Sequence, residues 1–195
     1  MDRRYDRRML TAHLSTPALE AGLEEIRRAP TDHGRVELIV RRPATDEREL
    51  LDEGTLDLEE GLVGDTWRVR GSTRTADGSS HPDMQLNVIN ARVTELLAGP
   101  ARDHWALAGD QLYLDLDLSE ANLPAGTRLS LGTAVIEVTD QPHRGCQKFS
   151  ARFGLDALRF VNSAVGRELH LRGVNARVVV PGAVRTGDVV TKLTA

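Results

Sequence analysis

Many short segments in which apolar and polar residues alternate, separated by turns containing glycine or proline, predict a mainly β protein. Such a pattern argues for a barrel or a sandwich, with a few peripheral helices, rather than for a parallel α/β sheet. The chain also lacks a glycine loop of the Walker or dinucleotide type, which a doubly wound nucleotide-binding sheet would carry.

The chain starts on a charged run, Met1-Asp-Arg-Arg-Tyr-Asp-Arg-Arg8, that leads into no long apolar stretch, so no signal peptide is expected. A short helix follows, opened by Thr16-Pro17 as N-cap and first helical residue, with Leu19, Leu23 and Ile26 on one face. Residues 1–34 therefore read as a helical extension and 35–195 as the main domain. Beyond Gly34 three segments have the period of a strand with one face inward: Val36, Leu38, Val40; Met84, Leu86, Val88; and Leu112, Leu114, Leu116, Leu118. Arg128 to Leu131, Ala134 to Thr139, Ala176 to Val180 and Val189 to Leu193 add further strands, with Gly132-Thr133 and Pro181-Gly182 as turns. One helix is expected from Ala91 to Ala98, capped by Asn90, and one or two from Lys148 to Asn162, broken at Gly154. The stretch from Gly71 to Pro82 reads as a mobile surface loop.

A length of 195 residues suits a single core. No apolar run approaches the ~20 residues that cross a bilayer, so no membrane association is expected and a cytoplasmic location is the default. The net charge of −4 is unevenly distributed. Residues 141–180 carry Arg144, Lys148, Arg152, Arg159, Arg167, Arg172 and Arg177 against only Asp156 and Glu168, while the rest of the chain is acidic. A basic segment of this kind suits a small anionic ligand. Nucleic acid is not expected, because a basic stripe over the whole domain is missing and aromatic residues for base stacking are scarce.

That basic segment contains the one cysteine of the chain, Cys146, in Gln141-Pro-His-Arg-Gly-Cys-Gln-Lys-Phe149. Core cysteines sit in periodic apolar runs, whereas this one follows Pro142 and Gly145 and has His143, Arg144 and Lys148 around it. Positive neighbours favour thiolate, the form that attacks electrophiles or binds a soft metal. A structural zinc site is set aside: one cysteine builds no Cys-rich site, and His13, His33, His81, His104, His143 and His170 show no paired ligand spacing. A metal shared by His143 and Cys146, and a Cys-His hydrolase with His104, His143 or His170 as base, stay open. Arg172 and Asn175 flank Gly173 at the mouth of a strong strand, where a guanidinium and an amide can hold a phosphate or a planar heterocycle. The alternative is a solvated Arg172 and an Asn175 that caps a turn. Gly61-Leu-Val-Gly-Asp65 and Gly187-Asp188 read as turn devices.

Taken in order, Gly61-Leu-Val-Gly-Asp65, the strand from Ala134 into Cys146, Arg172-Gly-Val-Asn-Ala-Arg-Val-Val-Val180 and Gly187-Asp-Val-Val190 resemble the MOSC domain, named after the C-terminal domain of molybdenum-cofactor sulfurases. The resemblance implies a β-barrel related to that of pyruvate kinase. It also implies that Cys146 either carries sulfur as a persulfide or ligates molybdenum in bound molybdopterin. His143, Arg144, Lys148, Arg172 and Asn175 are then the candidates for holding the pterin or its phosphate. The expected role is reduction of N-oxygenated compounds or sulfur transfer; the alternatives are a carrier module without catalysis and a degenerate barrel without cofactor. The pyridoxal-phosphate desulfurase domain of full sulfurases is missing, as is a ferredoxin-like domain, so a separate redox or sulfur-donor protein is expected as partner. Gly145 precedes the cysteine where several relatives have proline.

Overall fold

The computed structural model describes residues 13–193, so the charged start at residues 1–8 lies outside the described residues. The strands are β1 (Gly34–Arg41), β2 (Glu49–Leu51), β3 (Glu53–Asp57), β4 (Gly61–Leu62), β5 (Leu86–Asn90), β6 (Leu112–Asp115), β7 (Arg128–Leu131), β8 (Ala134–Val138), β9 (Val174–Val180), β10 (Gly182–Arg185) and β11 (Val189–Leu193). The helices are α1 (Thr16–Ala21), α2 (Leu23–Arg27), α3 (Trp67–Arg70), α4 (Ala91–Ala98), α5 (Arg102–Trp105), α6 (Gln147–Phe153), α7 (Leu155–Asn162) and α8 (Ala164–Glu168). Helix and strand take about equal shares; the sequence pattern shows too little helix because α3, α5 and α8 are each too short to display a helical period.

Strands β11, β7, β8, β9, β5, β6 and β1 pair in that order, and β1 pairs back onto β11, closing a seven-stranded barrel. All neighbours are antiparallel except β5 and β6. Strand β2 extends the sheet beside β1, and β10, β3 and β4 form a second small sheet. Gly182 thus opens a strand after Pro181 instead of ending in a turn.

Two apolar layers result. Val36, Ile39, Leu86, Val88, Leu112, Leu114, Ile136, Val138, Ala176 and Val190 fill the barrel, joined by Leu56, Leu62 and Val184 from the small sheet. Leu38, Val40, Ile89 and Tyr113 point the other way and pack beneath the helices, against Leu19, Ile26, Val93, Phe149, Phe153 and Phe160. The helical segment before residue 34 is therefore part of the second layer. Its cap is Ser15 rather than Thr16, which sits with Pro17 in the first turn.

The expected single face of Val36, Leu38 and Val40 is divided. The register of β1 against β6 shifts between Val36 and Leu38, a bulge that reverses the parity of the strand and turns Ile39 inward in place of Leu38. Met84 lies outside β5, in a tight turn from Pro82 to Met84. The helix capped by Asn90 has the expected bounds, the Asn90 side chain accepting from the Arg92 amide, and Gly154 separates α6 from α7 with φ 92°. Among the described residues no helix is long and apolar enough to cross a membrane.

Gly173, between Arg172 and β9, has φ 94°, and a Cβ there would stand 2.1 Å from the Val88 carbonyl oxygen. Gly173→Ala is expected to destabilise the protein by at least about 1–3 kcal/mol, the cost of a strained backbone region, with the backbone clash in addition. Urea unfolding checks this, and an unchanged midpoint would refute the tight approach of β9 to β5.

Candidate functional site

Strand β8 runs out of the barrel into residues 139–145, which deliver Cys146 to the start of α6 with its side chain exposed. The loop is pinned from both sides. Asn162 on α7 grips Gly145, accepting its amide proton at 3.0 Å and donating to its carbonyl at 3.1 Å. From the barrel, Asn175 donates to the Gln141 carbonyl at 3.0 Å.

Cys146 lines a cleft of about 410 Å³ together with Thr45, Asp46, Thr66, Asn87, Gly109 and Phe149 and with the cations Arg42, Arg48, Arg70, Lys148, Arg152 and Arg172. Two of these cations are buried and neutralised from behind. Arg42 meets Asp65 side-on, with Nε and Nη2 each donating at 2.8 Å, and Asp65 also accepts the amides of Arg42 and Trp67. Arg172 donates from Nη1 to both oxygens of Asp110, at 2.8 and 2.7 Å, and its guanidinium lies 5.1 Å over the Phe149 ring. Arg172 Nε is buried and has no hydrogen-bond partner.

The other cations are less balanced. Arg152 approaches Asp46 at 3.5 Å, and among the described residues Arg48, Arg70 and Lys148 make no ion pair. Burial, and then repulsion from Arg152 and Arg42, lowers Arg48 from the ordinary arginine value. Burial followed by repulsion from Arg42 does the same to Arg70. Like charges held together in a partly desolvated cleft raise the local concentration of anions.

The residues singled out in the sequence occupy different places. Cys146, Lys148 and Arg172 share the cleft. Arg144 and His143 line a second cleft on the other side of the loop, with Asn162, Arg167 and His170. Asn175 is fully buried and lines neither cleft; it accepts from Asn87 at 2.7 Å and so acts on the cysteine loop from within the barrel. His143 has its Nδ1 3.6 Å from Asp110, and that atom is buried without a hydrogen-bond partner. Burial, with Arg172, Arg42 and Arg74 adding repulsion, holds its imidazole well below the ordinary 6.5. Burial also pushes the Asp110 carboxyl up, against the opposing pull of Arg172.

Arg42, Arg48, Arg70 and Asp110 emerge only from the structure, whereas Arg152 belongs to the basic segment 141–180 already visible in the sequence. Asp65 had a signal, since it closes Gly61-Leu-Val-Gly-Asp65. That segment opens as β4 and turns at Val63-Gly64, with φ 70° at Gly61 and 78° at Gly64, and its carboxylate also holds the floor of the cleft.

The family model of the MOSC domain matches residues 82–191, more than half of the chain. The protein belongs to the MOSC domain family. The family is associated with molybdenum-cofactor binding or sulfurase function. Among solved structures, the YuaD protein from Bacillus subtilis is similar with a TM-score of 0.61 at 17% identity, over 82% of this chain and 94% of that one. YiiM from Escherichia coli is similar with a TM-score of 0.53 at 22% identity, over 83% of this chain and 70% of that one. These likenesses show the MOSC barrel and its helical layer. No curated protein matches the chain in sequence.

Two measurements probe the buried titratable groups around Asp110 in this MOSC protein. Asp110→Asn leaves the Arg172 guanidinium buried without its counter-charge and is expected to cost about 3–5 kcal/mol in urea unfolding. A loss near zero would mean that Arg172 is solvated. The folded protein refuses a proton at His143 that the unfolded chain takes up below pH 6.5, so this group lowers stability as pH falls from 7 toward 5. One such proton accounts for at most about 1.4 kcal/mol per pH unit, and His143→Gln is expected to remove that part of the slope. An equal slope in parent and variant would refute a neutral, buried His143.

Proposed function

We propose that this MOSC protein binds a molybdopterin-type molybdenum cofactor in the arginine-lined cleft, with Cys146 as the protein's ligand to the metal. The observation that carries the reading is the exposed thiol and the cations Arg48, Arg70 and Lys148 opening into one cleft. A soft sulfur suits molybdenum, and the guanidinium groups suit a phosphate. Among the described residues no group of three or more His, Cys, Asp and Glu side chains stands together to hold a metal. In this reading the other donors arrive with the ligand, since molybdopterin brings its own sulfur atoms and a phosphate.

The bound group would supply two-electron redox chemistry, which fits reduction of N-oxygenated compounds. The chain's own residues orient and retain it. Phe149 and Arg172 form a rigid wall, Arg42 with Asp65 forms the floor, and Asn162 and Asn175 hold the loop that presents the sulfur. Electrons would come from a separate redox protein that reaches the open side of the cleft. The exposure of Cys146 also favours a second reading, in which the thiolate attacks the outer sulfur of a donor persulfide, takes it as Cys146 persulfide and releases the donor as thiolate.

The test is the molybdenum-to-protein ratio after purification from a host that makes the cofactor. The parent is expected near one. Cys146→Ser is expected near zero with an unchanged circular dichroism spectrum, because a hydroxyl is a much harder and less acidic donor. Lys148→Ala, which removes an exposed cation, should lower retention without affecting folding. Equal ratios in parent and Cys146→Ser overturn the metal-ligand role. An empty parent whose Cys146 instead acquires a persulfide label supports sulfur carriage.

A further inference from the structure

The second cleft, on the far side of the cysteine loop, encloses about 460 Å³ and shares no lining residue with the first. Its charged and acceptor groups fall into two sets. One set is organised by Asn162, whose side chain grips Gly145 and whose carbonyl accepts from Arg167 Nη1 at 2.8 Å. Arg144, next to Gly145, and Arg167, on α8, therefore enter the cleft from the loop and from the helical layer. Neither guanidinium has an ion pair among the described residues.

The other set forms where residues 118–120 meet residues 168–170. The Glu120 amide donates to the Glu168 carbonyl at 2.9 Å, and His170 Nδ1 stands 2.6 Å from the Leu118 carbonyl. A carbonyl only accepts, so Nδ1 carries the proton of the neutral ring and Nε2 is left as an acceptor. His170 keeps this place with φ 47°, a left-handed conformation that is costly for a residue other than glycine. The Glu120 carboxylate has no hydrogen bond or ion pair among the described residues.

The remaining polar groups change this division little. Asp140 already accepts from the Gln141 amide at 3.0 Å, and His143 presents a neutral ring from the loop. A lone anion entering the cleft meets Glu120 and Asp140, and a lone cation meets the two guanidinium groups. A ligand that carries one charge of each sign satisfies both sets. Pro124, Pro142, Val161 and Val174 add apolar wall for a hydrocarbon side chain.

We propose that this cleft binds a free amino acid with an aliphatic side chain, its carboxylate at Arg144 and Arg167 and its ammonium group at Glu120 and His170. The site is separate from the cysteine cleft and does not rest on the cofactor reading.

The experiment is calorimetric titration of the full chain, at neutral pH and low salt, with L-leucine and with its two single-charge relatives. Isocaproate is leucine without the amino group, and isoamylamine is leucine without the carboxyl group. Leucine is expected to bind at one site, and each relative about tenfold to hundredfold more weakly, the loss of charge-assisted contacts. The variants are expected to cross over. Arg144→Gln and Arg167→Gln weaken leucine about tenfold without weakening isoamylamine, whereas Glu120→Gln weakens leucine about tenfold without weakening isocaproate. All three side chains are exposed, so these variants are expected to fold, which circular dichroism checks. Arg159→Gln, exposed on α7 and outside both clefts, is expected to stay within about twofold of the parent. Absence of saturable leucine binding, isocaproate or isoamylamine binding as tightly as leucine, or an equal loss in the Arg159 variant overturns the site. Tighter binding of the dipeptide leucyl-leucine than of leucine overturns the assignment to free amino acids.

Discussion

Burying a guanidinium strands a positive charge in a medium that solvates it poorly, unless a carboxylate is buried beside it. This constraint is met twice at the rim of the barrel, by Arg42 with Asp65 and by Arg172 with Asp110. Each pair ties together parts of the chain that are distant in sequence. Arg42 at the end of β1 meets the turn after β4, and Arg172 before β9 meets the turn before β6. The floor and wall of the cleft are thereby made of rigid, neutralised pairs, which leaves the positive field of the site to Arg48, Arg70, Lys148 and Arg152.

The same pairs reach the cysteine. Arg42 donates to Asn87, Asn87 to Asn175, and Asn175 to the Gln141 carbonyl in the loop that precedes Cys146. Every bond in this chain points the same way, from the guanidinium outward, so each polarises the next. A loop that lacks regular structure is positioned in this way by the barrel core, while Asn162 fixes it from the helical side. The carbonyls of residues 106–109 hold the arginines in a similar way, accepting from Arg48, Arg152, Arg172 and Arg42 in turn.

How much was legible depended on range. The strand pattern of Leu112 and Leu114 was readable because the side-chain period of a strand is local, although β6 ends at Asp115 and Leu116 and Leu118 enter the core from beyond it. Asn90 and Gly154 were readable because capping and breaking are properties of single residues. The bulge in β1 was not readable, since it is defined by register against β6, about 75 residues away in the chain by strand placement. The two-stranded hairpin of β3 and β4 and its pairing with β10 escaped for the same reason. Cys146 and its basic neighbours stood out because they are adjacent. Asp110 did not, and Asp65 stood out only as the end of a turn motif, because a carboxylate's partner is chosen by folding.

The sequence by itself determined the barrel, the family and the position of the sulfur. Each follows from short-range pattern and from motifs whose order survives in one dimension. Only the tertiary structure decided which cations surround that sulfur. Arg144, two residues away, turns to the opposite cleft, whereas Arg48 and Arg152, some hundred residues apart, converge on Gly109. The physical reason is that a charge cluster forms only where buried carboxylates and main-chain carbonyls can hold it, and the closing of the barrel decides where those groups meet.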